Sequence, residues 1–180
     1  MRFVVFGRDS DAFEQDESDV HEAHQSYMDG WLPRMFGRGP IGTPDGELHA
    51  GSVHIIEADD LSMAREFAFK EPYQCAGWYT EVLVRPMRSI VEGTMWDRPA
   101  PAAGQVSSFV WATWSARPID EVPVPVAEWL FAGQLLSENL LSTVGFAGAI
   151  DLSPKEAAEL ARDWPGAVEV HRWERGGRRD

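Results

Sequence analysis

Two histidines three residues apart, His21 and His24 in "SDVHEAHQSYMDGW", and one glutamate, Glu71 in "KEPYQCAGWY", are the residues of this chain best suited to moving a proton. Imidazole titrates near neutral pH, and a histidine oriented by a carboxylate is a standard general base or acid. His21 and His24 would lie on neighbouring faces of one helix. Glu71 would stand at a helix-to-strand corner, from which a carboxylate can approach a histidine on another helix. Plainer roles are open to the same residues: His21 as a solvated first-turn residue and Glu71 as an exposed charge, because neighbouring titratable groups are as often structural as catalytic.

The elements that must position these groups can be read from periodicity. Residues 2–8, "RFVVFGR", are β-branched and aromatic and predict a strand. Residues 18–36 predict a helix, with Asp19 and Glu22 available for a capping box. A short strand fits in "RGPIGTP", a longer one at 52–59, and "DLSMAREFAFKEP" places Ala64, Phe67 and Ala68 at helical spacing before Pro72 stops the helix. Residues 76–88 then predict a final strand.

The phrase returns as "DLSPKEAAELARDWP" at 151–165. Ser153 is an N-cap, Pro154 the first helical position and Glu156 the partner in a capping box, with Ala157, Ala158, Leu160, Ala161 and Trp164 at helical spacing. Around it the order repeats: strand 107–117, helix 124–137 ("VPVAEWLFAGQLLS"), a short strand in "NLLSTV", strand 145–151, and strand 166–175. Each half reads β-α-β-β-α-β, the ferredoxin-like order. The expected class is α+β: one ferredoxin-like domain at 1–91 holding the site, a Pro/Ala/Gly linker at 92–106, and a degenerate ferredoxin-like repeat at 107–180. The halves are expected to cover each other's bare sheet face, with Trp78, Val82 and Val84 alternating on one last strand and Val168 and Val170 on the other. The helix expected at 124–137 has no histidine, so the repeat is asymmetric where a site would be.

The first half resembles the YCII (YciI-like) family on "RFVVFGR", "AHQSYMDGW...GRGP", "GSVHIIEADDLSMAREFAFKEPY" and "AGWYTEVLVRPMR". Members are small ferredoxin-like proteins that associate as dimeric α+β barrels, so the resemblance implies that this chain closes such a barrel intramolecularly. It also implies a histidine–aspartate active-site dyad. The histidine position falls on His24, with His21 the alternative, and the Asp-Pro-Tyr position falls on "EPY", where Glu71 replaces the aspartate. One added methylene moves a positioned base by about an ångström, which weakens catalysis unless something compensates. Tyr73, Tyr79 and Arg38, next to these motifs, are the expected substrate contacts. The second half offers Asp163 in "RDWPGA" but no partner histidine.

Composition narrows the function. With 180 residues, 44% of them hydrophobic, nine Phe and eight Trp, the chain can bury a sizeable core. A net charge of −13 repels nucleic acid and anionic membranes over most of the surface. One cysteine, Cys75, permits no intrachain disulfide. The opening residues form neither a signal h-region nor a transit peptide, and no stretch reaches membrane-span length, so a cytoplasmic protein is expected. His49, His54 and His171 show no metal-ligand spacing, "FGRGPIG" lacks the Walker lysine and the dinucleotide spacing, and the acids between Asp9 and Asp19 follow no EF-hand pattern; no metal or cofactor is expected.

Two classes of function remain. One is a small cofactor-independent enzyme in which His24 and Glu71 carry out an elimination, isomerisation or lyase step on a small, aromatic or carbonyl-containing metabolite, as related barrel proteins do. The other is a non-catalytic ligand-binding or accessory protein with the same barrel. Exposed sheet edges would also allow the pseudo-dimer within the chain to pair again as a homodimer.

Overall fold

The computed structural model describes residues 1–14, 18–43, 45–99, 101–102, 104–118 and 127–177. Strand β1 (Arg2–Asp9) buries Phe3, Val4, Val5 and Phe6 in a row, because both of its faces are covered. Val4 and Phe6 pack in one apolar cluster, Phe3 and Val5 in another. The remaining elements follow as α1 (Ser18–Trp31), β2 (Met35–Gly42), β3 (His49–Glu57), α2 (Leu61–Lys70), a one-turn α3 (Pro72–Cys75), β4 (Tyr79–Ser89), β5 (Ser107–Arg117), β6 (Trp129–Leu136), β7 (Thr143–Ile150), α4 (Pro154–Leu160) and β8 (Ala167–Trp173).

The strands close into an antiparallel barrel in the order β1-β3-β2-β8-β5-β7-β6-β4. Read from β4, the first four strands run β4-β1-β3-β2 and the last four β8-β5-β7-β6, the same order of first, second, third and fourth strand in each half. The seams between halves are short: Ile41 and Gly42 face Trp173 and Arg172 at one, and Met87, Arg88 and Ser89 face Leu135, Gln134 and Gly133 at the other. The barrel interior holds Val4, Phe6, Val53, Ile55, Phe109 and Phe131 among others. Each large side chain buried there contributes about 1.5–3 kcal/mol relative to exposure. From the first half Arg8 on β1 reaches Glu169 on β8 with two hydrogen bonds of 2.7 and 2.9 Å, and also holds Glu81 at 3.0 Å.

Several sequence expectations are corrected. Where a helix was expected at 124–137, strand β6 runs over Trp129–Leu136 with every residue buried; residues 124–126 lie outside the described residues. "WLFAGQLL" is apolar but for Gln134 and shows no period, which a buried strand and a buried helix satisfy equally, and Gly133 fits the strand: a Cβ there would lie 2.5 Å from Met87 Cγ, so the backbone is pressed against β4. The two strands expected at "NLLSTV" and 145–151 are one strand, β7. The first helix ends at Trp31, and a 3-10 turn at Leu32–Arg34 carrying Pro33 hands the chain to β2, which takes Met35 and Phe36. The helix begins at Ser18, so Asp19 is in its first turn rather than before it.

The face assignment of the last strands is also reversed. Val82 and Val84 pack with Ala64 or the aromatic residues outside the barrel, and Val168 and Val170 pack with Ala157 of α4, while Leu83 and Met87 turn to the interior. Both faces of these strands are covered, so alternation alone does not say which one the helices take. The stretch expected to be a plain linker contributes Met95, fully buried in the barrel cluster. The capping box of α4 is present: Ser153 and Glu156 satisfy each other's backbone N–H, and Pro154 is the first helical residue. Trp164 falls beyond that helix but still packs on Phe146, ring centroids 4.7 Å apart.

Candidate active site

Pro72 disfavours helical geometry in the residue before it, and Glu71 accordingly leaves α2 in an extended conformation, φ −62° and ψ 132°. From that corner its carboxylate turns back. Oε2 accepts the Gln74 backbone N–H at 3.1 Å, capping α3, and Oε1 meets His24 Nδ1. His24 is the inward residue of α1, and Met28, one turn on, is buried in the cluster with Phe67. Helix packing through Met28, Phe67 and Ala68 therefore fixes how far α1 stands from the corner. Both partners are sheltered, His24 7% and Glu71 2% exposed. An ionised carboxylate can only accept, so it holds the proton on Nδ1 and leaves Nε2 for a substrate.

The surroundings of the pair are aromatic and basic. Tyr73 stacks on the His24 ring at 3.9 Å and 5°, an arrangement worth about 0.5–1.5 kcal/mol beyond its buried area. The Tyr73 hydroxyl meets His21 Nδ1 at 2.5 Å. His54 on β3 lies 5.9 Å from His24, ring to ring. Burial first, with the Arg38 guanidinium and the His24 ring beside it, holds His54 well below the usual histidine value, so it is a neutral imidazole. Burial raises Tyr73 as well, with Glu71 and Asp9 adding to it. Arg38, 5% exposed, lies with Nη2 3.5 Å from Asp29 Oδ1.

These groups share a cavity of about 250 Å³ lined by His21, His24, Gln25, Arg38, Ser52 and His54, with Tyr73 at its side and His49 and Phe13 also on its wall. Its floor is the helix-facing side of β2 and β3, and Gly176 and Gly177 of the tail border it beside Arg38. The tail can run there because residue 39 is glycine: a Cβ would stand 1.9 Å from the Glu174 carbonyl oxygen. Among the described residues no three of His, Cys, Asp or Glu are grouped to hold a metal ion. An oriented imidazole, a neutral second histidine and a guanidinium around one small cavity can take a proton from a bound molecule and stabilise the anion that results.

Of the residues singled out in the sequence, His24, Glu71, Tyr73 and Arg38 are brought together. Tyr79 is not on the cavity wall: its ring lies over Gly7, and its hydroxyl meets Ser52, which is. Burial pushes the Tyr79 phenol well above its usual value, with the Glu71 charge next. His21 is no solvated first-turn residue but part of an aromatic cluster, edge-on to Phe13, Tyr73 and Trp78. Asp163, at the corresponding corner of the second half, has a side chain 90% exposed beside Arg162. Ser52 and His54 were not singled out as site residues. Their signal was two polar residues at alternate positions of the apolar run "GSVHIIE", which puts both on one face of a strand.

The YCII-related domain pattern matches residues 1–88. That half of the chain belongs to the YCII-related family. It supplies every wall of the cavity except the tail glycines. Among proteins of curated function, none matches the sequence. In structure, the chain is similar to a candidate monooxygenase from Lactobacillus acidophilus NCFM, at 10% identity and a TM-score of 0.50, over 97% of this chain and 92% of that one. It is also similar to 5-chloro-2-hydroxyhydroquinone dehydrochlorinase (TftG) from Burkholderia phenoliruptrix AC1100, in complex with 2,5-dihydroxybenzoquinone, at 24% identity and a TM-score of 0.44, over 49% of this chain and 94% of that one. The likeness along the whole chain shows the α+β fold alone. No helix among the described residues is long and apolar enough to cross a membrane.

Proposed function

We propose that this protein is a small enzyme in which His24, oriented by Glu71, moves a proton on a small carbonyl-containing or aromatic metabolite during an elimination, isomerisation or related lyase step. The observation that carries the reading is the buried contact between His24 Nδ1 and Glu71 Oε1 on the wall of a cavity. In this reading Nε2 takes the proton, Glu71 stabilises the imidazolium that forms, and Arg38 faces the developing negative charge. Tyr73 holds the His24 ring by stacking. Proton transfer of this kind needs only the imidazole and the carboxylate, so the reaction is read as cofactor-independent.

The same reading takes the chain as two tandem ferredoxin-like units forming a pseudo-dimer, the second a degenerate copy that closes the barrel. The recurring strand order and the repeated "DLS" at the starts of α2 and α4 support it. A crystal soaked with small aromatic acids and ketones tests the site. The expected density lies in the cavity, with a polar ligand atom in hydrogen-bond contact with His24 Nε2. Ligand bound only elsewhere, with the cavity left to water, would overturn the assignment.

A further inference from the structure

A second histidine on the wall of the same cavity is built like the first. His49 Nδ1 lies 2.6 Å from Asp9 Oδ2, the two side chains 20% and 11% exposed. Phe13 stacks on the His49 ring at 4.4 Å and 3°, as Tyr73 stacks on His24. In both cases a sheltered carboxylate takes Nδ1, an aromatic face fixes the ring plane, and Nε2 is left to act. Three separate pieces of chain converge to make the second arrangement: the end of β1 gives Asp9, the loop after it Phe13, and the start of β3 His49. Ser10 ties that loop down through its hydroxyl to the Gly77 carbonyl at 2.8 Å, and through its backbone N–H to the Trp78 carbonyl at 2.7 Å.

Resting on the reading of His24 and Glu71 as an acid–base pair, we propose that His49, positioned by Asp9, is a second catalytic acid–base residue of this cavity. The ring-to-ring steps His24 to Tyr73, Tyr73 to Phe13 and Phe13 to His49 are 3.9, 6.2 and 4.4 Å, so the two imidazoles stand at most about 15 Å apart. Two proton-transfer groups at separate places in one cavity suit a planar conjugated carbonyl compound, in which charge created at one end reaches an oxygen at the other. The C–H bond near His24 breaks, its proton goes to His24 Nε2 and its electron pair enters the conjugated system. The remote oxygen forms an O–H bond with the proton carried by His49 Nε2. His24 is then an imidazolium and His49 a neutral imidazole. Return of the His24 proton to a different carbon, as His49 recovers its own, completes an isomerisation with no net change in protons.

Histidine-selective nitrogen-15 NMR of the full chain tests this, with signals assigned from His24→Gln and His49→Gln and with trans-4-hydroxycinnamate as the probe, a planar conjugated acid with oxygens at both ends. The expected result is that the probe shifts the Nε2 signals of both His24 and His49. Without probe, His49 is expected to hold a proton on Nδ1 toward Asp9, in the imidazolium that supplies the Nε2 proton as in the neutral ring left after donation, and to lose that Nδ1 preference in Asp9→Asn. A shift of His24 alone would overturn the role of His49 and leave the proposed function standing. A shift of neither ring, at probe concentrations that saturate the change in tryptophan fluorescence, would overturn both.

Discussion

At Glu71 one carboxylate has two tasks, a backbone N–H at 3.1 Å on one oxygen and His24 on the other. An N-cap conformation sets the start of its side chain, and the two contacts set its end. Residue types and the Pro that forces the corner pointed to Glu71 and to both His21 and His24, and only the family resemblance preferred His24. Asp9 and His49 could not be singled out, because which side chains of different strands meet depends on register, and register is a property of the closed sheet. His54 carries a testable consequence. Its value in the fold lies well below the 6.5 of a free histidine, so between the two the unfolded chain binds more protons, and stability is full above about pH 6.5 and falls as pH drops through it. The urea midpoint should decrease from about pH 7.5 to about pH 5, and His54→Leu, which keeps an apolar group against Phe67, should flatten that decrease. Part of the slope should survive, because burial lowers His171 as well. An unchanged slope in His54→Leu would show that the buried neutral group lies elsewhere.

Among elements, those with local signals were legible and those defined by packing were not. Helix α4 announced itself through Ser153, Pro154 and Glu156, all of which act within one turn. Strand β6 did not, since eight successive buried residues have no period to read. Gly39 shows the same division. Nothing around it in sequence says that a distant tail crosses it, yet the Gly176 N–H donates to the Arg38 carbonyl at 2.9 Å across that position. Gly39→Ala should displace the tail and destabilise the fold by about 1–3 kcal/mol, as inserted methyl groups do in packed sites. Ser153→Ala should remove one cap, about 1 kcal/mol. Urea unfolding at neutral pH gives both values, and a Gly39→Ala protein as stable as the native one would contradict the close approach.

For the whole molecule, the α+β class and the first-half family were accessible from the sequence, because both rest on element order and on motifs within the first half. Closure within the chain was implied by the family resemblance and not by the residues themselves, since its seams pair only a few residues from each half. The face that residues 1–91 turn to the barrel is apolar, with Val4, Phe6, Val53, Ile55 and Met87. A fragment of residues 1–91 produced alone would leave that face bare, and it should self-associate to a dimer in sedimentation equilibrium. A folded, monomeric fragment would show that the second half is not needed to cover the first.

Proton chemistry at His24 is most directly tested by exchange of carbon-bound hydrogen. The full chain is incubated in deuterium oxide with a panel of small aromatic ketones and aldehydes, and loss of their C–H signals is followed by proton NMR. The native protein should accelerate exchange for at least one compound. Glu71→Gln, which keeps the size of the side chain and removes its charge, should slow that exchange about 10²–10⁴-fold, the range of a positioned acid–base group. Exchange equally fast in Glu71→Gln and in His24→Gln would contradict an acid–base role for the pair.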